Sequence, residues 1–174
     1  MIYTIGHSTR PSDVFVGLLK AHGIQTLVDV RTIPRSRHNP QYNGDTLAAT
    51  LAAHRIAYVH EPALGGLRKP RPDSINTGWR NTSFRGYADY MQTPAFHAAV
   101  DALIARAATG HTAIMCAEAV PWRCHRSLVA DALTARGIEA REIVSEAKAT
   151  THKLTSFAKV DQWEVTYPAT GALL

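Results

Sequence analysis

The sequence predicts an α/β fold: a single domain on a mostly parallel, Rossmann-like sheet of five strands, with helices on both faces. Two observations carry this. Short apolar runs of strand length alternate with segments whose apolar residues recur at helical spacing, the pattern of a parallel sheet whose crossover helices cover both faces. The chain is also 174 residues long, 45% hydrophobic and 19% charged. That is long enough to bury one real core and too apolar for a disordered chain.

The elements follow in order. Ile2–Ile5 reads as a buried strand ending at Gly6-His7-Ser8-Thr9. Pro11 opens a helix with Val14, Leu18 and Leu19 in register and Gly23 as its stop. Thr26–Val30 is a second strand, and a polar loop follows from Thr32 to Asn43. Asp45 caps a helix to about His54, and Ile56–Val59 is a third strand. Glu61 to Arg85 is rich in Gly, Pro, Asn and basic residues and is expected to be a long loop, of the kind that is commonly functional or mobile. Tyr87–Met91 is expected as a short helix. Thr93 caps a longer one, with Pro94 at its first position, running to about Ala108. Thr112–Cys116 is the fourth strand, Ser127–Arg136 a helix stopped by Gly137, and Ile138–Val144 the fifth strand. Residues 145–174 show weak periodicity, and no repeat or low-complexity tract is present.

The formal net charge of +5 tilts binding partners towards anions. The amino terminus begins as a strand, without the charged region and cleavage site of a signal peptide. No apolar run approaches the roughly 20 residues of a membrane span. The expected compartment is the cytoplasm, with no membrane association. In a reducing compartment two cysteines read as free thiols, ligands or a redox pair in preference to a structural disulfide.

Ligands of parallel sheets bind outside the carboxyl ends of the strands, so the residues just past each strand are the candidates. The first strand offers His7 and Ser8, the second Arg31, Ser36 and Arg37, and the fourth Cys116, Glu118, Arg123, Cys124, His125 and Arg126. The end of the fourth strand and the loop after it hold the only two cysteines of the chain. Cys124, beside His125 and two arginines at a helix start, has the surroundings that lower a thiol pKa. His7, Glu118, Cys124 and His125 are therefore the candidate catalytic groups. Ser8, Arg31, Ser36, Arg37, Arg123 and Arg126 are candidates for holding an anion, with Trp79 and Trp122 as stacking surfaces for a base. A cysteine-phosphatase loop is disfavoured by spacing: with five residues between, the position after Cys116 that needs an arginine holds Trp122, and Arg123 is one place late. No dinucleotide fingerprint or Walker loop occurs, and no cofactor is expected. If a zinc or iron ion is bound, its ligands are Cys116, Cys124, His7 and His125.

The segments Tyr3-Thr-Ile-Gly-His-Ser, Val28-Asp-Val-Arg, Leu64-Gly-Gly, Phe84-Arg-Gly-Tyr-Ala-Asp-Tyr-Met, Met115-Cys-Ala-Glu, Trp122-Arg-Cys-His-Arg-Ser and His152-Lys-Leu-Thr-Ser-Phe-Ala together resemble the DUF488 family. That family consists of small bacterial and archaeal proteins of poorly defined biochemistry. The resemblance runs from Ile2 to about Pro168, which implies one domain over residues 1–174 with segment 145–174 packed on it. It implies no reaction. The residues themselves lead to the expectation of an enzyme acting on a phosphate-bearing nucleotide or nucleic acid by base excision, base modification or hydrolysis. The alternatives are a non-catalytic anion or nucleic-acid binding module, and a thiol redox or metal-binding protein.

Overall fold

Successive side chains of a strand point to opposite faces, and here they feed two separate cores. The computed structural model describes residues 1–170. Its elements are β1 (Ile2–Gly6), α1 (Ser12–Ala21), β2 (Thr26–Asp29), α2 (Gly44–Ala53), β3 (Ala57–His60), α3 (Thr82–Tyr90), α4 (Pro94–Ala107), β4 (Thr112–Cys116), α5 (Arg126–Ala135), β5 (Ala140–Ser145), β6 (Lys148–Thr151), β7 (Lys159–Asp161) and β8 (Glu164–Thr166). Tyr3, Ile5, Leu27, Ala113 and Met115 turn to the face covered by α1 and α2. Ile2, Val28, Ile114 and Cys116 turn to the face covered by α3, α4 and α5.

The main sheet has the order β3-β2-β4-β1-β5-β6. β1 to β5 pair in parallel and β6 joins β5 antiparallel. The α/β class with helices on both faces is as predicted, and the five predicted strands are the five parallel ones. The sheet differs from the expectation by its sixth strand, and β7 and β8 form a separate two-stranded ribbon. These three strands have three or four residues each and are largely exposed, so they carry no apolar alternation to read. The order also differs from the dinucleotide-binding order 3-2-1-4-5-6, because β4 lies between β2 and β1. Cys116 is thereby registered against Gly6 on one side, and Met115 against Asp29 on the other.

Two helix starts differ from the expectation. Asn43, not Asp45, holds the cap position of α2, and Asp45 lies in the first turn. α3 begins at Thr82, five residues before the predicted start, because the Asn81 side chain accepts the backbone N–H of Ser83 and Phe84.

The stretch between β3 and α3 is irregular but anchored. Asp89 of α3 accepts from Arg71 N at 2.7 Å, Ser74 Oγ at 2.6 Å and Asn76 Nδ2 at 2.7 Å. Arg68 passes so close to Gly86 that a Cβ there would overlap its carbonyl oxygen. The carboxy-terminal segment is anchored in the same way. Buried Asp131 of α5 accepts from His152 Nε2 at 2.7 Å, Thr155 N at 3.0 Å and Tyr167 Oη at 2.8 Å. Residues 171–174, part of the segment predicted to pack on the domain, lie outside the described residues. Among the described residues no helix is long and apolar enough to cross a membrane.

Candidate functional site

The site grows from the junction of β4 and α5. β4 ends at Cys116, a loop with one 3-10 turn (Pro121–Arg123) follows, and α5 begins at Arg126. The loop crosses the end of β1 so closely that a Cβ on Gly6 would overlap the Glu118 carbonyl, which makes glycine a requirement there. The backbone N–H groups of His7 and Ser8 bond to the carbonyls of Cys116 and Ala117, each at 2.9 Å. Ser8 takes a left-handed φ of 50° to do so.

Arg126 is completely buried and folds back beneath this loop. Its Nη1 donates to Cys116 Sγ at 2.8 Å and to the Glu118 carbonyl at 2.8 Å. Its Nη2 pairs with Glu142 Oε1 at 3.0 Å, and Thr4 bonds the other carboxylate oxygen. Its Nε has no partner. Cys124 Sγ accepts the Arg126 backbone N–H at 3.4 Å and lies 3.7 Å from His125 Nδ1. His125 Nε2 donates to the Val30 carbonyl at 3.0 Å, which leaves Nδ1 as an acceptor facing Cys124.

The charge follows from these contacts. The hydrogen bond from Cys124 and the guanidinium of Arg126 hold the Cys116 thiol below its ordinary pKa, against the burial that opposes ionisation. Cys124 is pushed far up, by the thiolate it serves and by burial. Cys116 is therefore the sulfur that ionises first. Reasoning from a helix N-terminus placed the lowered thiol at Cys124, whereas the folded-back Arg126 side chain places it at Cys116. Burial holds His125 neutral, its pKa lowered to about 4.

A cavity of about 480 Å³ is lined by both cysteines. Its buried lining is Arg31, Cys116, Cys124 and Tyr87, and its exposed lining includes Glu118, Arg35, Arg123, Ile33 and Leu67. Of the residues singled out from sequence, Cys116, Cys124, His125, Glu118, Arg123 and Arg31 line it. His7, Ser8, Ser36, Arg37, Trp79 and Trp122 do not.

Each of those six has another setting. His7 is buried, stacked on Tyr42 at 4.0 Å between ring centroids, with Nδ1 bonded to the Ser8 carbonyl and Nε2 at 3.4 Å from Arg31 Nη1. Burial lowers its pKa to about 4. The Ser36 hydroxyl accepts the Asn39 N–H, and Arg37 is exposed. Trp79 stacks on Phe84 at 4.8 Å and packs edge-on against Phe157. Trp122 is 72% exposed on a second cavity of about 430 Å³, beside Arg10, Glu142 and Lys153. Arg126 touches the thiol from behind and presents no exposed surface to a ligand.

Sequence reasoning missed Glu142, Ile33 and Leu67. Leu67 and Ile33 are large apolar residues in polar loops, a signal that could have marked them. Glu142 sits in mid-strand with no such sign.

The family model described as "Domain of unknown function DUF488" matches residues 11–133. The chain belongs to the DUF488 family. The match runs from just before α1 nearly to the end of α5 and contains the whole β4–α5 junction. No curated protein and no solved structure matches the chain. Among the described residues no group of three or more His, Cys, Asp and Glu side chains could hold a metal ion. Of the four proposed ligands, Cys116, Cys124 and His125 share the cavity and His7 does not.

Proposed function

We propose that this DUF488 protein is an enzyme that uses the Cys116 thiolate for nucleophilic catalysis on a phosphate-bearing nucleotide or nucleic acid. The observation that carries the reading is the 2.8 Å contact from a fully buried guanidinium to Sγ of Cys116, a residue that lines a cavity with exposed arginines. A thiolate is the nucleophilic form of cysteine, and a fixed cation in low dielectric is what maintains it. Arg35 and Arg123 supply exposed positive charge for a phosphate at the mouth, and Arg31 adds to the field from a buried position. Ile33, Leu67 and Phe84 supply apolar surface for a base. Glu118, exposed at the mouth, is placed to exchange a proton with a leaving group. A reducing cytoplasm, in which both thiols stay free, is the compartment this chemistry requires.

The test is turnover on a panel of nucleoside phosphates and of single- and double-stranded oligonucleotides, with Cys116→Ser beside the parent. The expected result is turnover by the parent that the variant loses while its circular dichroism is unchanged. A folded Cys116→Ser protein at full turnover would contradict the role of the thiolate. Substrate binding is also expected to weaken steeply with salt.

A further inference from the structure

The second sulfur needs a role. Cys124 is buried, lines the same cavity as Cys116, and its sulfur accepts the backbone N–H of Arg126, the residue whose guanidinium bonds Cys116 Sγ. A nucleophile held by Arg126 does not require a second thiol beside it. A thiol within reach of a thiolate can form a covalent bond to it.

We propose that Cys124 is a resolving thiol, so that Cys116 and Cys124 form a dithiol–disulfide couple that hydroperoxides oxidise and that switches the site off. The proposal rests on the reading of Cys116 as the reactive thiol.

The steps balance as follows. The Cys116 thiolate attacks the terminal oxygen of a hydroperoxide; an S–O bond forms, the O–O bond breaks, and the alkoxide or hydroxide leaves and takes a proton from water. Cys116 is now a sulfenic acid. The Cys124 sulfur attacks it; an S–S bond forms, the S–O bond breaks, and the hydroxyl leaves as water with the Cys124 proton. Two electrons pass from the two thiols to the peroxide.

Three features fit this sequence. Arg126 contacts both sulfurs, Cys116 through Nη1 at 2.8 Å and Cys124 through its backbone N–H at 3.4 Å, and so holds the partners on one residue. Cys124 sits in the loop turn just before α5, with seven residues separating it from Cys116. Both cysteines line a cavity whose other lining residues include exposed ones, which gives a peroxide a way in. Once the disulfide forms, Cys116 has no thiolate and the chemistry proposed above stops until a dithiol reductant restores it.

The experiment treats the reduced full-length protein with stoichiometric hydrogen peroxide. The readouts are free thiols, intact mass and the linkage in a tryptic digest. The parent is expected to go from two titratable thiols to none, to lose the mass of two hydrogens, to yield a peptide pair joined through Cys116 and Cys124, and to recover both thiols with dithiothreitol. Cys124→Ser is expected to stop at a Cys116 sulfenic acid that dimedone traps. Oxidation of the parent to a Cys116 sulfinic or sulfonic acid, with Cys124 still open to alkylation, would overturn the proposal. The two readings fail separately. A reactive Cys116 that never pairs with Cys124 sinks the couple alone, and a couple that forms in a protein whose Cys116→Ser variant keeps full turnover sinks the enzyme reading alone.

Discussion

Arg31 and Arg126 lie at the carboxyl edge of the same sheet, and both are buried, but their charges are matched in different ways. Arg31 forks onto Asp29, with Nε at 2.9 Å from one oxygen and Nη2 at 2.6 Å from the other. Nη2 also reaches the Tyr42 carbonyl, and Tyr58 adds a hydroxyl to the carboxylate at 2.7 Å. Arg126 meets one carboxylate through one nitrogen, spends another on a thiol and a carbonyl, and leaves Nε without a partner. A bidentate pair with every oxygen satisfied is a way to tolerate buried charge. A guanidinium matched by a single edge keeps positive potential in reserve, and here that potential falls on a sulfur. The first arrangement ties β2 to the α2 side of the sheet; the second prepares a thiolate.

The comparison can be broken at Asp29. Asp29→Ala leaves the Arg31 guanidinium buried without its carboxylate, and the expected loss is about 3–5 kcal/mol in chemical denaturation. The Cys116 alkylation profile is expected to stay where it is, since Arg31 does not serve the thiol. A loss under about 1 kcal/mol would mean that the pairing of Arg31 is not structural.

Next in size is an acid effect that reaches both regions, because one buried imidazole belongs to each. Burial holds His7, beside Arg31, and His125, beside Cys124, at about 4, below the ordinary 6.5. Both folded-state values are depressed, so between about pH 6.5 and 4 the unfolded chain binds protons that the folded chain refuses. Stability is therefore expected to be flat above pH 6.5 and to fall as the pH drops through that window, by about 3 kcal/mol per imidazole. Denaturation curves at pH 7 and pH 4.5 measure this, and equal midpoints would show that neither ring is held neutral.

Arg126→Gln removes the charge while keeping a polar group. The Cys116 midpoint is expected to rise by about one unit or more, and alkylation at pH 7 to slow about tenfold. An unchanged rate would assign the thiolate to another source. The smallest effect is expected at Trp122. It is 72% exposed and does not line the cysteine cavity, so Trp122→Ala should stay within about 0.5 kcal/mol in stability and leave the alkylation rate unchanged.

Much of the fold was legible because the parallel strands are short apolar runs with readable stops, and because Thr93-Pro94 is a strong helix start, with Thr93 accepting the Phe96 N–H. The grouping of Cys116, Glu118, Arg123, Cys124 and His125 was legible because they share one short stretch, and of the residues expected to join them from other strand ends only Arg31 lines the same cavity. The strands after β5 were not, because Lys148–Thr151, Lys159–Asp161 and Glu164–Thr166 bury little and alternate weakly. Which thiol carries the charge was not legible either. It depends on the rotamer of one arginine that folds back ten residues along the chain to Cys116, and local spacing pointed to the nearer sulfur. Trp79 shows a related limit. An aromatic among basic loop residues reads as a stacking surface, and burial against Phe84, Phe157 and Tyr167 turns it into packing.

The most direct measurement is the pH dependence of iodoacetamide alkylation, with the modified residue identified by mass spectrometry. Cys116 is expected to react first, with a midpoint below the ordinary thiol value of about 8.5, and Cys124 to stay unmodified until Cys116 is consumed. Earlier modification of Cys124, or a Cys116 midpoint at or above 8.5, would contradict the claim that Arg126 and Cys124 hold a thiolate at Cys116.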